Sequence, residues 1–193
     1  YYQKRNADRE TLKQDYTPDC LCELMSRLFQ KTTAITDLCS GTGALSLAAL
    51  KNKKANYFQT IEISEAVIPI QLFNLCIRNV DAELVQQDVL TGNIKKSYRI
   101  IHGEKYSDLL IDNNYTFQKT DVLISNPPYS LSWNQHHDER FQGYELAPNS
   151  KADYVFVIDA INRITDKGKA FIILPHGVLF RGNAEEKIRT ELI

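Results

Sequence analysis

Short apolar runs alternate with stretches of helical periodicity along most of the chain. Thr17-Pro18-Asp19 opens the first of these as a helix, with Thr17 as N-cap and Pro18 in the first helical position. Leu21, Leu24, Met25, Leu28 and Phe29 fall on one face. Ala34 to Leu38 reads as a short buried strand, followed by Cys39-Ser40-Gly41-Thr42-Gly43 and a helical run from Ala44 to Leu50. Tyr57 to Ile63 is a second strand. Glu65 to Val80 is a helix with Pro69 in its first turn or kinking it, and Ala82 to Gln87 is a third strand. Residues 89–120 are polar and turn-rich, with a hairpin or short helix expected around Tyr98 to Ile101 and Leu109 to Ile111. Asp121 to Ser125, a fourth strand, ends directly on Asn126-Pro127-Pro128-Tyr129. After a long loop to Ser150, a helix from Ala152 to Thr165 stops near Gly168. A fifth strand spans Ala170 to Leu174, and a last helix Ala184 to Leu192.

Apolar strands alternating with helices imply an α/β fold, a doubly wound and mostly parallel sheet covered on both faces. A sheet stopping at the fifth strand would leave an unprotected edge, so the chain is expected to be a fragment of a longer polypeptide. Residues 1–15 form a polar lead, and 16–193 a core incomplete at its C-terminus. The 193 residues, 43% hydrophobic and 24% charged, suffice for one buried core. No apolar run approaches the roughly 20 residues of a membrane helix, and Tyr-Tyr-Gln-Lys-Arg does not resemble a signal peptide, so a cytosolic protein is expected. Cys20, Cys22, Cys39 and Cys76 form no Cys-x-x-Cys pair, and His136 and His137 diverge on either regular structure, so no metal site is expected. The net charge of −1 gives no basic face for gripping duplex DNA unaided; Lys51 to Lys54 and Lys95-Lys96 read as solvated surface.

The turn after the first strand is where such folds meet a nucleotide cofactor, and Gly41 and Gly43 permit close backbone approach there. Asp37 precedes the turn and is placed either to hold its backbone or to meet a charged amino group of the ligand. Glu62, roughly 20 residues beyond the glycines, is placed to accept from both ribose hydroxyls, and Asp88 to meet an adenine edge. Ser40, Thr42, Ile63 and Val89 join this candidate cofactor set. Ser46 stands where a third glycine of the dinucleotide fingerprint would be, which counts against NAD.

Pro127 and Pro128 fix Asn126 in extended geometry at a strand's carboxyl end. An exocyclic adenine amine is a poor nucleophile because its lone pair is delocalised. If the Asn126 side-chain oxygen and the Pro127 carbonyl accept its two hydrogens, the nitrogen can pyramidalise and aim that lone pair at an electrophilic methyl group. Two neutral acceptors stabilise the positive charge that develops. Tyr129 offers a face for a flipped base, with Trp133 as a second choice.

These residues resemble the amino-methyltransferases, and more closely the modification subunit of type I restriction-modification enzymes. Tyr16-Thr17-Pro18 is similar to that family's methionine-binding motif, Asp37 to Gly43 to its glycine motif, and Asn126 to Tyr129 to its catalytic motif. Ser130, Trp133, Arg140 and Phe141, Lys151 to Tyr154, and Leu174 to Gly182 with Glu185, Ile188 and Arg189 resemble later blocks of the subunit. Asn183 departs from it, replacing a frequent second glycine. The resemblance implies the Rossmann-like class I fold, S-adenosylmethionine as methyl donor, and transfer to adenine N6 in double-stranded DNA. It also implies a separate DNA-specificity subunit and a restriction subunit as partners. Arg181 and Arg189 either contact DNA or pair with Glu185, Glu186 or Glu191. A protein-glutamine or RNA-guanine methyltransferase could use the same tetrapeptide, a silent scaffold or assembly subunit could keep the fold, and a nicotinamide oxidoreductase lacks visible hydride-transfer partners.

Overall fold

The computed structural model describes residues 16–193; the lead expected over 1–15 lies outside the described residues. Its strands are β1 (Ala34–Leu38), β2 (Tyr57–Glu62), β3 (Asp81–Gln87), β4 (Ile94–Ile101), β5 (Asp108–Ile111), β6 (Thr120–Ser125) and β7 (Ile164–Ile172). The α-helices are α1 (Asp19–Arg27), α2 (Ala44–Lys51), α3 (Ile68–Cys76), α4 (Asp153–Asn162) and α5 (Ala184–Glu191). The strands form one seven-stranded sheet in the order β5-β4-β3-β2-β1-β6-β7. β3, β2, β1, β6 and β7 are parallel to one another, and β4 and β5 add antiparallel to β3. The doubly wound α/β expectation holds. Because the 89–120 excursion folds as the β4–β5 hairpin, the strand expected as fifth is the seventh, and β5 and β7 are the sheet's edges.

Side-chain alternation along the buried strands makes two cores. Ile35, Phe58, Leu84, Val122 and Ile124 face α1, α2 and α3, where Met25, Phe29, Leu45, Leu72 and Leu75 meet them. Leu38, Ile61, Val85 and Leu123 face the other way, towards Tyr154, Val155 and Ile158 of α4 and Ile188 of α5.

Several boundaries differ from those expected, for identifiable reasons. α1 begins at Asp19 with Pro18 in the cap position; the Pro18 carbonyl accepts from the Leu21 and Cys22 N–H groups, and Thr17 makes no side-chain cap. Its buried residues are Cys22, Met25 and Ser26, because Asn52 of the next helix end donates to Ser26 and Glu23; Leu24 and Leu28 are exposed. α3 begins only at Ile68, because the Ser64 carbonyl closes a preceding turn by accepting from the Val67 and Ile68 N–H groups. Pro69 sits in its first turn, where a missing N–H costs no hydrogen bond. Gly168 does not stop a helix. α4 ends at Asn162 and β7 starts two residues later, running through Gly168, with its register to β6 shifting between Thr120 and Val122.

Phe58 is fully buried under α1–α3, whereas Phe73 of α3 is 64% exposed. Phe58→Ala is expected to lower unfolding stability by about 3–5 kcal/mol, and Phe73→Ala by about 0.5 kcal/mol or less. Urea unfolding monitored by far-UV circular dichroism measures both; equal losses would contradict this placement of the core.

Candidate active site

Three parallel strands release their chains at one level. Leu38 of β1 pairs with Ile61 of β2 on one side and Ser125 of β6 on the other. The Ser125 hydroxyl donates to the Leu38 carbonyl at 2.6 Å, and the Ser40 N–H to the Ile61 carbonyl at 2.9 Å. The turn after β1, the acid ending β2 and the tetrapeptide after β6 consequently border one cavity of about 590 Å³.

The glycine turn is built on left-handed backbone. Gly41 has φ +56° and Gly43 φ +85°, and a Cβ added at Gly41 would find nothing nearer than Tyr16 Cε1 at 4.0 Å. Gly41 therefore leaves open cradle space as well as relieving strain. A Cβ at Gly43 would sit in ordinary contact with Gln71 Cγ at 3.4 Å, so it is the positive φ that calls for glycine there. Gln71 is fully buried and accepts from the Ser40 hydroxyl at 3.0 Å, which anchors the turn to α3.

Glu62 closes this side. Its Oε2 accepts from the Gly41 N–H and its Oε1 from the Ser64 N–H, both at 2.7 Å. Burial pushes its carboxyl above the ordinary range, opposed by the N–H groups of Ser64, Gly41 and Ile63. Asp88 lines the cavity next to Val89, but its carboxylate bonds to the Leu90 N–H and the Thr91 hydroxyl and so stiffens its own turn.

On the tetrapeptide side, both ends of the Asn126 carboxamide are engaged. Its Nδ2 donates to Thr17 Oγ1 at 2.9 Å, and its Oδ1 accepts from the Tyr129 hydroxyl at 3.0 Å. Thr17 is thus spent on orienting Asn126. Ser130 follows at φ +48°, with Asp153 accepting from its N–H at 2.8 Å.

Of the candidate residues, Tyr16, Thr17, Ser40, Gly41, Thr42, Glu62, Ile63, Asp88, Val89 and Asn126 to Tyr129 border the cavity. Pro18, Asp37 and Gly43 do not. Asp37 is fully buried, and its Oδ2 accepts from the Ser46 N–H and hydroxyl, tying β1 to the first turn of α2. Its other oxygen, Oδ1, is buried with no hydrogen-bond partner among the described residues. Trp133 is no stacking platform: it is buried against Phe141, and its indole N–H donates to the Ala147 and Pro148 carbonyls. Arg181 pairs with Glu185, as expected, and also with Asp153; Arg189 donates to the Val178 and Arg181 carbonyls. Cys39, Gln87, Leu131 and Phe156 also border the cavity and were not expected. Gln87 and Cys39 adjoin expected residues, but Leu131 and Phe156 carry only a burial pattern in sequence. Among the described residues no group of His, Cys, Asp and Glu is placed to hold a metal, and no helix is long and apolar enough to cross a membrane.

Burial also pushes the Asp37 carboxyl up to about 7 from 3.8; the Ser46 hydrogen bonds oppose this and Glu62 adds to it. Its folded state therefore binds a proton more tightly than its unfolded state. The stability this contributes is complete below about pH 4 and lost as pH rises through about 7. Asp37→Asn lacks the effect, so the stability of wild type minus variant should fall across that window in urea titrations. A difference that stays flat would remove the assignment.

The chain matches the N-6 DNA Methylase family over residues 2–193. It is 29% identical over 198 residues to the type I restriction enzyme MpnII methylase subunit of Mycoplasma pneumoniae, covering 92% of this chain and 34% of that one. It is also 29% identical over 167 residues to the release factor glutamine methyltransferase of Salmonella typhimurium, covering 82% and 52%. A structure from Listeria monocytogenes assigned to the class I S-adenosylmethionine-dependent methyltransferases superposes with TM-score 0.58 at 16% identity, covering 88% and 49%. The chain spans about a third of the length of the type I methylase subunits it matches. With a mostly parallel sheet that sets its glycine turn beside Asn-Pro-Pro-Tyr, and with a family match across nearly its whole length, the chain belongs to the N-6 DNA Methylase family.

Proposed function

We propose that this chain is the cofactor-binding and catalytic core of a DNA adenine-N6 methyltransferase, the methylase subunit of a type I restriction-modification assembly. The observation that carries the reading is that Glu62, Gly41 and Asn126 border one cavity. The cavity volume, the open cradle at Gly41 and the buried carboxylate of Glu62 fit a nucleoside bearing an amino-acid chain. S-adenosylmethionine, when bound, supplies a methyl group made electrophilic by its sulfonium sulfur. Glu62 would accept from the ribose hydroxyls, Val89 and Ile63 would flank the adenine, and Tyr16, Thr17, Ser40 and Thr42 would line the remainder.

Asn126 Oδ1 and the Pro127 carbonyl would then accept the two hydrogens of a flipped adenine amine. The amine would take over the position on Oδ1 held by the Tyr129 hydroxyl, so its entry exchanges one hydrogen bond for another. Thr17 keeps the carboxamide from rotating its Nδ2 towards the base. Tyr129, once released, would stack on that base. The names of the type I relatives, each a methylase subunit of a restriction enzyme, support partner subunits; the sequence resemblance adds a DNA-specificity subunit, a restriction subunit, a cytosolic location and double-stranded DNA as substrate. Transfer to a protein glutamine amide is the second reading. It is supported by the likeness to the release factor enzyme, and an amide nitrogen suits the same two acceptors.

The test uses the full-length subunit with its specificity partner and labelled cofactor. Asn126→Ala should cut kcat for DNA methylation by about 100-fold or more. Robust transfer by the variant would sink the mechanism, and transfer to protein alone would favour the second reading. In calorimetric titration with S-adenosylhomocysteine, Glu62→Ala should bind about tenfold more weakly or worse; unchanged affinity would remove Glu62 from the ribose role.

A further inference from the structure

The segment from Gln87 to Leu90 forms the cavity wall beside Asp88, and it is held from behind by two arginines that do not border the cavity. Arg140 comes from the loop that follows the tetrapeptide. Its Nη1 donates to the Val89 carbonyl at 2.6 Å and to Asp159 Oδ1 at 3.0 Å. Its Nη2 donates to the Leu90 carbonyl at 3.3 Å and to Asp138 Oδ2 at 2.6 Å, and its Nε also bonds to Asp138. Every N–H of the guanidinium therefore has an acceptor. Arg163 completes the support, donating to Asp159 Oδ2 at 2.5 Å and to Gln87 Oε1 at 2.9 Å.

The same arginine organises the base side. Its guanidinium lies 5.1 Å from the Phe141 ring, and Phe141 packs on Trp133 at 5.7 Å. The Trp133 backbone N–H donates to the Asn149 carbonyl, and the Leu131 carbonyl, on the cavity wall, accepts from the Ala152 N–H. One side chain thus joins the wall after β3 to the loop after Asn126–Tyr129.

Resting on the function proposed above, we infer that Arg140 is a positioning residue that sets the cofactor half and the base half of the cavity relative to each other. A planar fork is needed, because an ammonium cannot reach two successive carbonyls and two carboxylates at once. Arg140→Lys should still fold, because Asp159 keeps Arg163 and Asp138 is partly solvated.

The experiment measures methyl transfer by the full-length subunit with its specificity partner, on genomic DNA from a strain lacking that subunit. Arg140→Lys should raise KM for S-adenosylmethionine and KM for DNA, each about tenfold, with the thermal midpoint of unfolding little changed. Asp138→Asn weakens the local turn that holds the Arg140 N–H and Nε, on the base side, and leaves the grip on Val89 and Leu90. It should raise KM for DNA about fivefold and leave KM for the cofactor within about twofold. A merely structural role would move both constants together in both variants. The inference is overturned if Arg140→Lys leaves both constants within about twofold, or if Asp138→Asn shifts the cofactor constant as far as the DNA constant. Should Arg140→Lys fail to fold, the split in Asp138→Asn decides alone. If wild type transfers nothing to DNA, the functional reading fails, whereas titration of S-adenosylhomocysteine into both proteins still tests Arg140. Equal affinities there would overturn the inference.

Discussion

The parallel register of β1 between β2 and β6 is the constraint on which the site depends. Leu38 faces Ile61 and Ser125 across the ladders, so the glycine turn, Glu62 and Asn126 leave the sheet together. Side chains alternate with period two, and a one-residue slip of β6 would turn Val122 and Ile124 away from α1–α3 and expose Leu123 to that face. The two cores thus fix the register, and the register fixes the site. Neither turn needs to recognise the other.

The same arrangement places backbone strain beside the site at the carboxyl edge. Cys39 and Ser130, with φ of +59° and +48°, are left-handed without being glycine, and each such residue costs about 1–2 kcal/mol. The strain at Ser130 persists because Asp153 accepts from both its N–H and its hydroxyl. Asp153 is itself buried and ionically paired to Arg181, which Glu185 of α5 holds in turn. The block after β7 therefore acts on the tetrapeptide from behind. Asn183, at φ +58° and ψ −128°, occupies backbone space that favours glycine and explains why a glycine is expected there.

Sequence patterns resolve what local physics decides. Ala34–Leu38 and the strand ending at Ser125 are legible because strands buried on both faces are continuously apolar. β4 is only partly so: a hairpin or short helix is expected around Tyr98 to Ile101, but Lys95, Lys96 and Arg99 give the start of this antiparallel strand near the sheet edge the composition of a loop. Thr17 has the local preference of an N-cap, but a partner 109 residues away claims its hydroxyl. Trp133 shows the same limit: aromatic character suggests stacking, and only the folded loop reveals that its ring is buried. The residues bordering the cavity are legible where they sit at strand ends, as Gly41, Glu62 and Asn126 do. Those that support it across the fold, Arg140 above all, are not, since its carbonyl partners lie 50 and 51 residues away.

This division bears on how the chain would meet DNA. Arg140, Arg163, Arg181 and Arg189 support the elements around the cavity, and their donors are turned inward onto carboxylates and carbonyls. A guanidinium bonded in this way releases few counterions when a phosphate approaches, so these side chains add little to duplex affinity. A cavity made this way supplies a pocket and an Asn126 carboxamide held at both ends, and the proposed assembly would draw its grip on the phosphate backbone from surfaces other than these arginines. In the proposed assembly, separating grip from chemistry in this manner would allow one catalytic core to serve whatever sequence a specificity partner selects.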